Sequence, residues 1–172
     1  MVNFSGGGEV GELLQEEGEL LEIVLRGHQI LAWRKHSMFL GEYEHTVDAK
    51  GRMAVPARFR AQMDRGAVVS KGMGTCLSVY TLERWEEKSN ELVEGKTSDE
   101  LRDFERRIYP SASEIELDSQ GRMVIPAKLR AYANLGGEVT VAGVRDHFEL
   151  WDRTTWQTYQ ERLDAEGSKI PF

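Results

Sequence analysis

The chain has 172 residues, with 22 Lys or Arg against 29 Asp or Glu, so its net charge is −7. A hydrophobic fraction of 40% and a charged fraction of 30% describe a globular protein and exclude collagen-like, disordered and membrane-spanning chains. The single cysteine, Cys76, excludes an internal disulfide framework and indicates a reducing compartment. The longest nearly apolar stretch, residues 20–33, is interrupted by charged side chains and cannot cross a bilayer. We therefore expect a cytoplasmic protein without a membrane partner.

Residues 1–37 form an extension with its own composition. They include a Ser-Gly-Gly-Gly run at 5–8 and leucines whose spacing is compatible with an amphipathic helix. The acidic residues near the beginning have the wrong sign for a secretory signal. We expect this extension to be disordered or partly helical and to have no role in the core function. Met38 is a second plausible start of translation, and the sequence leaves both readings open.

The rest of the chain contains an internal repeat. Residues 48–61 and 118–131 align at an offset of 70, and eight of the fourteen positions are identical, including an Asp-x-x-Gly-Arg motif and a proline four residues after the arginine. The similarity resumes downstream, where Tyr80 matches Trp151 and Trp85 matches Trp156. Such a match over two separate blocks predicts a duplicated module.

Each copy predicts the same order of elements. A strand leads into the Asp-x-x-Gly-Arg turn, in which Asp bonds to the backbone and Gly supplies a positive φ; a short strand, a helix initiated by proline, a strand pair and a closing helix follow. The predicted positions are strands at 42–47 and 114–117, short helices at 57–63 and 127–133, and strand pairs at 67–70 with 76–80 and 138–142 with 147–151. We therefore predict a first module at 42–85 and a second at 114–157.

Two further segments complete the chain. Residues 86–113 are charged and helical in pattern, and the break at residues 95–99 predicts a connector made of two helices. Residues 158–172 are expected to be a C-terminal tail.

The sequence offers no catalytic or metal-binding pattern. His45 and His147 are isolated, Cys76 lies in an apolar strand pattern, and no set of His, Cys, Asp and Glu has ligand spacing. A lone cysteine in such a strand is more often a small core residue than a nucleophile. We expect no catalytic residue, no metal and no cofactor, and hence no enzyme.

Basic residues are concentrated on the repeated element although the chain is acidic. Residues 48–65 have five bases and two acids, a local charge of +3, and residues 118–130 have three bases and one acid, a local charge of +2. These bases are Lys50, Arg52, Arg58, Arg60 and Arg65 in the first copy and Arg122, Lys128 and Arg130 in the second. A β-hairpin carrying Arg can enter the major groove of DNA and donate bidentate hydrogen bonds to guanine. The alternative is a structural role, because each motif arginine could simply pair with its own aspartate. The residues alone favour neither interpretation over the other.

The sequence also resembles a known family. Residues 38–60, the second Asp-x-x-Gly-Arg block at 118–122 and the stretch at 148–156 are similar to the corresponding parts of MraZ proteins, which are built from two tandem AbrB-like swapped-hairpin modules. The resemblance covers roughly residues 38–165, and two motifs in register make it specific.

The resemblance implies a DNA-binding transcriptional regulator. MraZ proteins assemble into homo-oligomeric rings and bind short repeated G-containing boxes in the promoter of the division and cell-wall gene cluster to which they belong, in the cytoplasm on the nucleoid. Carried over by motif, Lys50 and Arg52 would contact base edges, and Arg58 and Arg60 would contact phosphates. In the second copy Arg122, Lys128 and Arg130 occupy the matching positions. Gln120 replaces the motif lysine there, so the second copy is expected to bind more weakly or to serve folding and assembly.

We therefore expect a β-rich α+β fold in which two AbrB-like modules form a double-split β-barrel with a helical connector. The expected function is repression of the chain's own operon by a ring that binds double-stranded promoter DNA at direct repeats. Two alternatives remain: an AbrB-type antitoxin, which usually combines one such module with a disordered tail, and an assembly scaffold that does not bind DNA.

Overall fold

The computed structural model describes residues 12–17, 20–25, 28–33, 38–93 and 99–167. The chain divides into two compact units, residues 1–37 and 38–172. The glycine run at 5–8, the connector break at 95–98 and tail residues 168–172 lie outside the described residues.

The N-terminal unit contains a small antiparallel sheet. Its strands are β1 (Glu12–Glu17), β2 (Leu20–Leu25) and β3 (His28–Trp33), in the order β1-β2-β3. The prediction of a disordered or partly helical segment is therefore wrong for these residues. Two-residue gaps separate the strands, and each gap contains a glycine, Gly18 or Gly27, which is a hairpin signal. Short apolar runs fit a helix or a strand equally well, so their apolar pattern alone could not distinguish the two.

The main unit repeats one series of elements twice. The first copy contains β4 (Glu42–Thr46), β5 (Arg52–Ala54), α1 (Ala57–Arg60) continued by a 3-10 turn (Ala61–Met63), β6 (Ala67–Lys71), β7 (Leu77–Thr81) and α2 (Leu82–Val93). Next come α3 (Asp99–Ile108) and a 3-10 turn (Tyr109–Ser111). The second copy contains β8 (Ser113–Ile115), β9 (Arg122–Val124), α4 (Ala127–Tyr132), β10 (Glu138–Val144), β11 (His147–Asp152) and α5 (Arg153–Glu166).

The predicted elements are largely confirmed, with differences at the module ends. Side-chain caps begin both closing helices: Thr81 Oγ1 accepts from the Arg84 amide at 3.2 Å, and Asp152 Oδ1 accepts from the Thr155 amide at 2.9 Å. The closing helix of the first copy and the first connector helix are one element, α2. Helix α5 runs to Glu166 and so includes residues 158–166, which were predicted as tail.

The two copies exchange strands within one antiparallel sheet. Its order is β4-β10-β11-β7-β6-β8, so β4 of the first copy lies beside the β10–β11 hairpin of the second, and β8 of the second lies beside the β6–β7 hairpin of the first. The short strands β5 and β9 pair separately as a two-stranded ribbon. Each copy therefore completes the sheet of the other, and neither is a separate layer.

The core lies between the large sheet, the ribbon and the short helices. Phe59 of α1 is fully buried and meets Phe39 edge-on, with ring centroids 5.0 Å apart, and Phe148 at 5.4 Å. Its counterpart Leu129 of α4 is equally buried. This shared core fixes the ribbon, because Met53 and Met123 at the ribbon centre are also fully buried. Among the described residues, no helix is both long and apolar enough to span a membrane.

Candidate nucleic-acid interface

The ribbon of β5 and β9 presents two arginines on one face. Met53 pairs with Met123 at its centre, Arg52 lies opposite Val124, and Arg122 lies opposite Ala54. Because side chains alternate along a strand and both methionines point into the core, the four flanking residues point outward. Arg52 and Arg122 are diagonal neighbours, whose Cα atoms are ~7–8 Å apart in such a pair. The exposed face therefore has two guanidinium groups around the small apolar surface of Ala54 and Val124.

A single aspartate organises each turn and its arginine. Oδ1 of Asp48 accepts the backbone N–H groups of Lys50 and Arg52, both at 2.9 Å. Its Oδ2 accepts Arg52 Nε at 2.8 Å and lies 2.7 Å from Nη2. These hydrogen bonds, from the Arg52 backbone first, lower the pKa of the Asp48 carboxyl to about 2. The turn is thus closed and its arginine is held by the same carboxylate.

The second turn reproduces this arrangement. Asp118 Oδ1 accepts the amides of Gln120 at 2.9 Å and Arg122 at 3.0 Å, and Oδ2 accepts Arg122 Nε at 2.8 Å. Hydrogen bonds from Arg122 lower the pKa of Asp118 to about 2. The pairing of each motif arginine with its own aspartate, expected from the structural alternative, is therefore confirmed. It does not remove the arginines from the surface, since the side chains of Arg52 and Arg122 remain 32% and 30% exposed.

Arg60 and Arg130 lie at the contact between the two copies. Arg60 Nε donates to the Val55 carbonyl at 2.8 Å, and Arg130 Nε donates to the Ile125 carbonyl at 3.1 Å. Each guanidinium also lies against the turn glycine of the other copy, Arg60 against Gly121 and Arg130 against Gly51. Both side chains are half-buried. Both arginines are therefore positioned to support the turns. The sequence did not reveal this role and suggested contacts with phosphate instead.

Three other residues that were predicted to bind DNA have exposed side chains. Lys50 lies in the first turn, Arg58 on α1 and Lys128 on α4, and no ion pair or side-chain hydrogen bond engages any of them within the described part of the chain. Gln120 is also exposed and occupies the position of Lys50 in the second turn. These cations are free to bind a polyanion without first breaking a contact.

The surroundings of the second turn are more acidic than the predicted binding residues suggest. A crevice of about 560 Å³ beside it is lined by Arg60 and Arg65 together with Asp64, Glu116 and Asp118. On the sheet, burial and the nearby charge of Arg60 lower the pKa of His45, which favours a neutral imidazole. The lysine-bearing first turn is therefore the stronger candidate for contact with a polyanion.

Sequence reasoning missed Ala54 and Val124, the apolar part of the outward face. The signal was available, because strict alternation around buried Met53 and Met123 places both residues beside the arginines. Within the described residues, no group of three or more His, Cys, Asp or Glu side chains could hold a metal ion.

Comparison with known proteins adds independent findings. A family model described as "MraZ protein, putative antitoxin-like" matches the chain twice, at residues 38–107 and 108–171. A protein of Roseiflexus castenholzii named "Transcriptional regulator MraZ" is 42% identical over 132 residues, which cover 76% of this chain and 92% of that protein. A protein of the same name from Roseiflexus sp. strain RS-1 matches with the same identity and coverage.

Proposed function

This chain belongs to the MraZ family, and from that premise we propose that it is a transcriptional regulator that binds double-stranded DNA through the β5–β9 ribbon and its two turns. The observation that carries the proposal is the pair of arginines held on the outward face of the ribbon. A two-stranded ribbon fits the major groove, and arginine on such a ribbon can donate to O6 and N7 of guanine.

The aspartates prepare the arginines for this contact. With Nε and Nη2 of Arg52 directed at Asp48, the side chain has less rotamer freedom to lose on binding, which lowers the entropic cost of recognition. Its remaining N–H groups are directed away from Asp48. In this proposal Lys50 and Arg58, with Lys128 in the second copy, contact phosphates, and Arg60 and Arg130 act by supporting the turns.

Assembly explains how an acidic chain could bind DNA. Residues 38–172 contain 19 basic and 23 acidic residues, a net charge of −4. A single chain therefore offers only a small basic area. We propose that several chains form a homo-oligomeric ring that aligns their ribbons. Weak contacts of the individual ribbons with DNA then add up to a higher overall affinity through effective concentration. A cyclic array suits direct repeats better than a palindrome.

The biological role proposed is repression of the chain's own division and cell-wall operon from repeated G-containing promoter boxes, on the nucleoid. The interleaved order of strands supports the related proposal that the two copies are swapped hairpins of a double-split barrel.

The test is fluorescence anisotropy on a duplex carrying the gene's own upstream region and on a scrambled duplex, at several salt concentrations. Replacing Arg52 or Arg122 by lysine keeps the charge but removes bidentate donation. We expect each replacement to reduce discrimination between the duplexes by about 1–3 kcal/mol, with smaller losses on scrambled DNA. The matched control is Arg162→Lys on α5, which should change neither affinity.

The scaffold and antitoxin alternatives give different results. A scaffold would keep its oligomeric mass yet show no preference for the upstream duplex even at low salt. An antitoxin would require a second protein for full affinity to DNA. Circular dichroism and sedimentation of every variant separate loss of binding from loss of folding or assembly.

A further inference from the structure

A second site-like feature lies away from the ribbon, in what we call the connector cavity. Its volume is about 580 Å³, and it is lined by residues of α2, α3, β6, β7 and β11. Half of the exposed large hydrophobic side chains of the described chain line this one cavity: Met73, Phe104, Tyr109 and Val144. Concentrated exposed apolar surface marks binding sites, and this volume is within the ~300–1,000 Å³ of small-molecule pockets.

Aromatic rings form the walls of the cavity. Trp85 of α2 lies between Tyr80 and Tyr109, with ring centroids 5.9 Å and 5.8 Å away and interplanar angles of 54° and 77°. Rings set at such angles present both faces and edges to the space between them. An inserted flat ring can therefore make offset-stacked and edge-to-face contacts together, the two geometries that aromatic pairs prefer.

The charge around these walls is positive. Lys71, Lys88 and Arg107 line the cavity, and no carboxylate of the described residues pairs with any of them. Lys88 Nζ lies 5.6 Å from the centroid of the Tyr80 ring, and Lys71 Nζ lies 4.7 Å from that of Tyr132. Two of the three ammonium and guanidinium groups are thus placed by rings. No carboxylate of the described residues is in ion-pair contact with any of the three, although Asp146 acts on Lys88 at longer range.

One carboxylate lines the cavity among the described residues, and its charge is already engaged. Glu149 accepts a hydrogen bond from Trp151 Nε1 at 2.9 Å and lies 3.7 Å from His147 Nε2. Burial raises the pKa of Glu149, but the contacts with His147 and Trp151 outweigh burial, so the pKa is lowered overall. The buried hydroxyls of Ser70 and Ser78 supply further polar contacts in the lining.

We propose that the connector cavity binds a planar aromatic anion, that is, a small molecule with a flat ring system and a carboxylate, sulfonate or phosphate. The ring would insert beside Trp85, and the anionic group would pair with Arg107 and Lys88. This inference goes beyond the proposed function, and none of the ribbon residues lines the cavity.

The experiment uses the full chain and 8-anilinonaphthalene-1-sulfonate, an aromatic sulfonate whose fluorescence reports transfer from water. We expect saturable binding of one probe per chain with energy transfer from tryptophan. Arg107→Glu and Lys88→Glu should each weaken binding by about tenfold or more, since bonds to charged groups are the strong ones. Arg162→Glu, which changes an exposed arginine of α5 beside Tyr159, should leave the affinity within about twofold.

Several results would overturn the proposal. They are an absence of saturable binding, equal affinity in Arg107→Glu and wild type, or equal affinity for an uncharged naphthalene of similar size. If wild type does not bind the probe and Phe104→Ala changes the sedimentation mass, a second chain covers this face instead. Circular dichroism of each variant excludes unfolding as the cause of a loss. Because no DNA is present, failure here is separate from failure of the proposed function.

Discussion

Arg130 and Gly51 belong to different copies of the repeat, yet a Cβ on Gly51 would lie 2.8 Å from Nε of Arg130. The mirror contact joins Arg60 and Gly121, where the same distance is 2.6 Å. Each turn glycine also has a positive φ, +79° at Gly51 and +71° at Gly121. Glycine is therefore favoured twice over: the positive φ of the turn strains any side chain, and a Cβ would displace the arginine packed against it. This pair of contacts locks the two copies across the ribbon.

The first prediction concerns these glycines. Gly51→Ala should lower the free energy of unfolding by roughly 1–3 kcal/mol, because alanine is strained at positive φ and its methyl group displaces Arg130. Urea unfolding followed by tryptophan fluorescence measures this. Gly136→Ala is the control, since Gly136 has open space around it, and should change stability by less than about 0.5 kcal/mol. Equal effects of the two substitutions would contradict the interlocking contact.

The second prediction separates supporting arginines from exposed ones. Arg60→Ala and Arg130→Ala each remove a hydrogen bond to the carbonyl of a buried residue and the packing on a turn glycine. We expect each to cost about 1–3 kcal/mol of unfolding free energy. Arg58→Ala and Lys128→Ala, at exposed positions on α1 and α4, should cost less than about 0.5 kcal/mol and act on DNA affinity instead. If Arg130→Ala left stability unchanged, its assigned role in supporting the first turn would be wrong.

The sequence predicted most of the strands and helices, but its local patterns did not predict which strands lie side by side. The repeat, the turn motif and the alternation predicted nearly every element of the main unit, because these signals are local. Alternation defines a strand but not its neighbour, so the exchange of β4 and β8 between the copies was beyond it. Arg60 and Arg130 were predicted to be surface cations because the glycines that they contact are far away in sequence. The contacts of Arg52 and Arg122, four residues from their aspartates, could be anticipated.

The third prediction concerns acid stability. Contacts with the arginine of the same turn lower the pKa of Asp48 and of Asp118 from 3.8 to about 2. A carboxyl with a lowered folded-state pKa contributes stability that is complete above its unfolded pKa and is lost as the pH falls through the folded one. The wild type should therefore lose stability between about pH 4 and pH 2 relative to an Asp48→Asn, Asp118→Asn double variant. Urea midpoints at a series of pH values test this, and parallel curves for the two proteins would contradict it.

The fourth prediction exploits the difference between the two turns. Gln120→Lys gives the second turn the lysine that the first turn has at position 50, on an exposed site where no contact must be broken. If both turns approach DNA, affinity for the upstream duplex should rise, and the slope of log affinity against log salt should steepen by about one, as expected for one added phosphate contact. Lys50→Gln should have the opposite effect on both quantities.

A matched control distinguishes a local contact from a change in net charge. Gln157→Lys adds the same charge at an exposed position of α5, and we expect little effect on affinity or salt slope. If Gln157→Lys strengthened binding as much as Gln120→Lys, the effect would be one of overall charge, and the second turn would not contact DNA. If only the Lys50→Gln exchange altered binding, the first turn alone would bind DNA, and the second would serve to hold the ribbon.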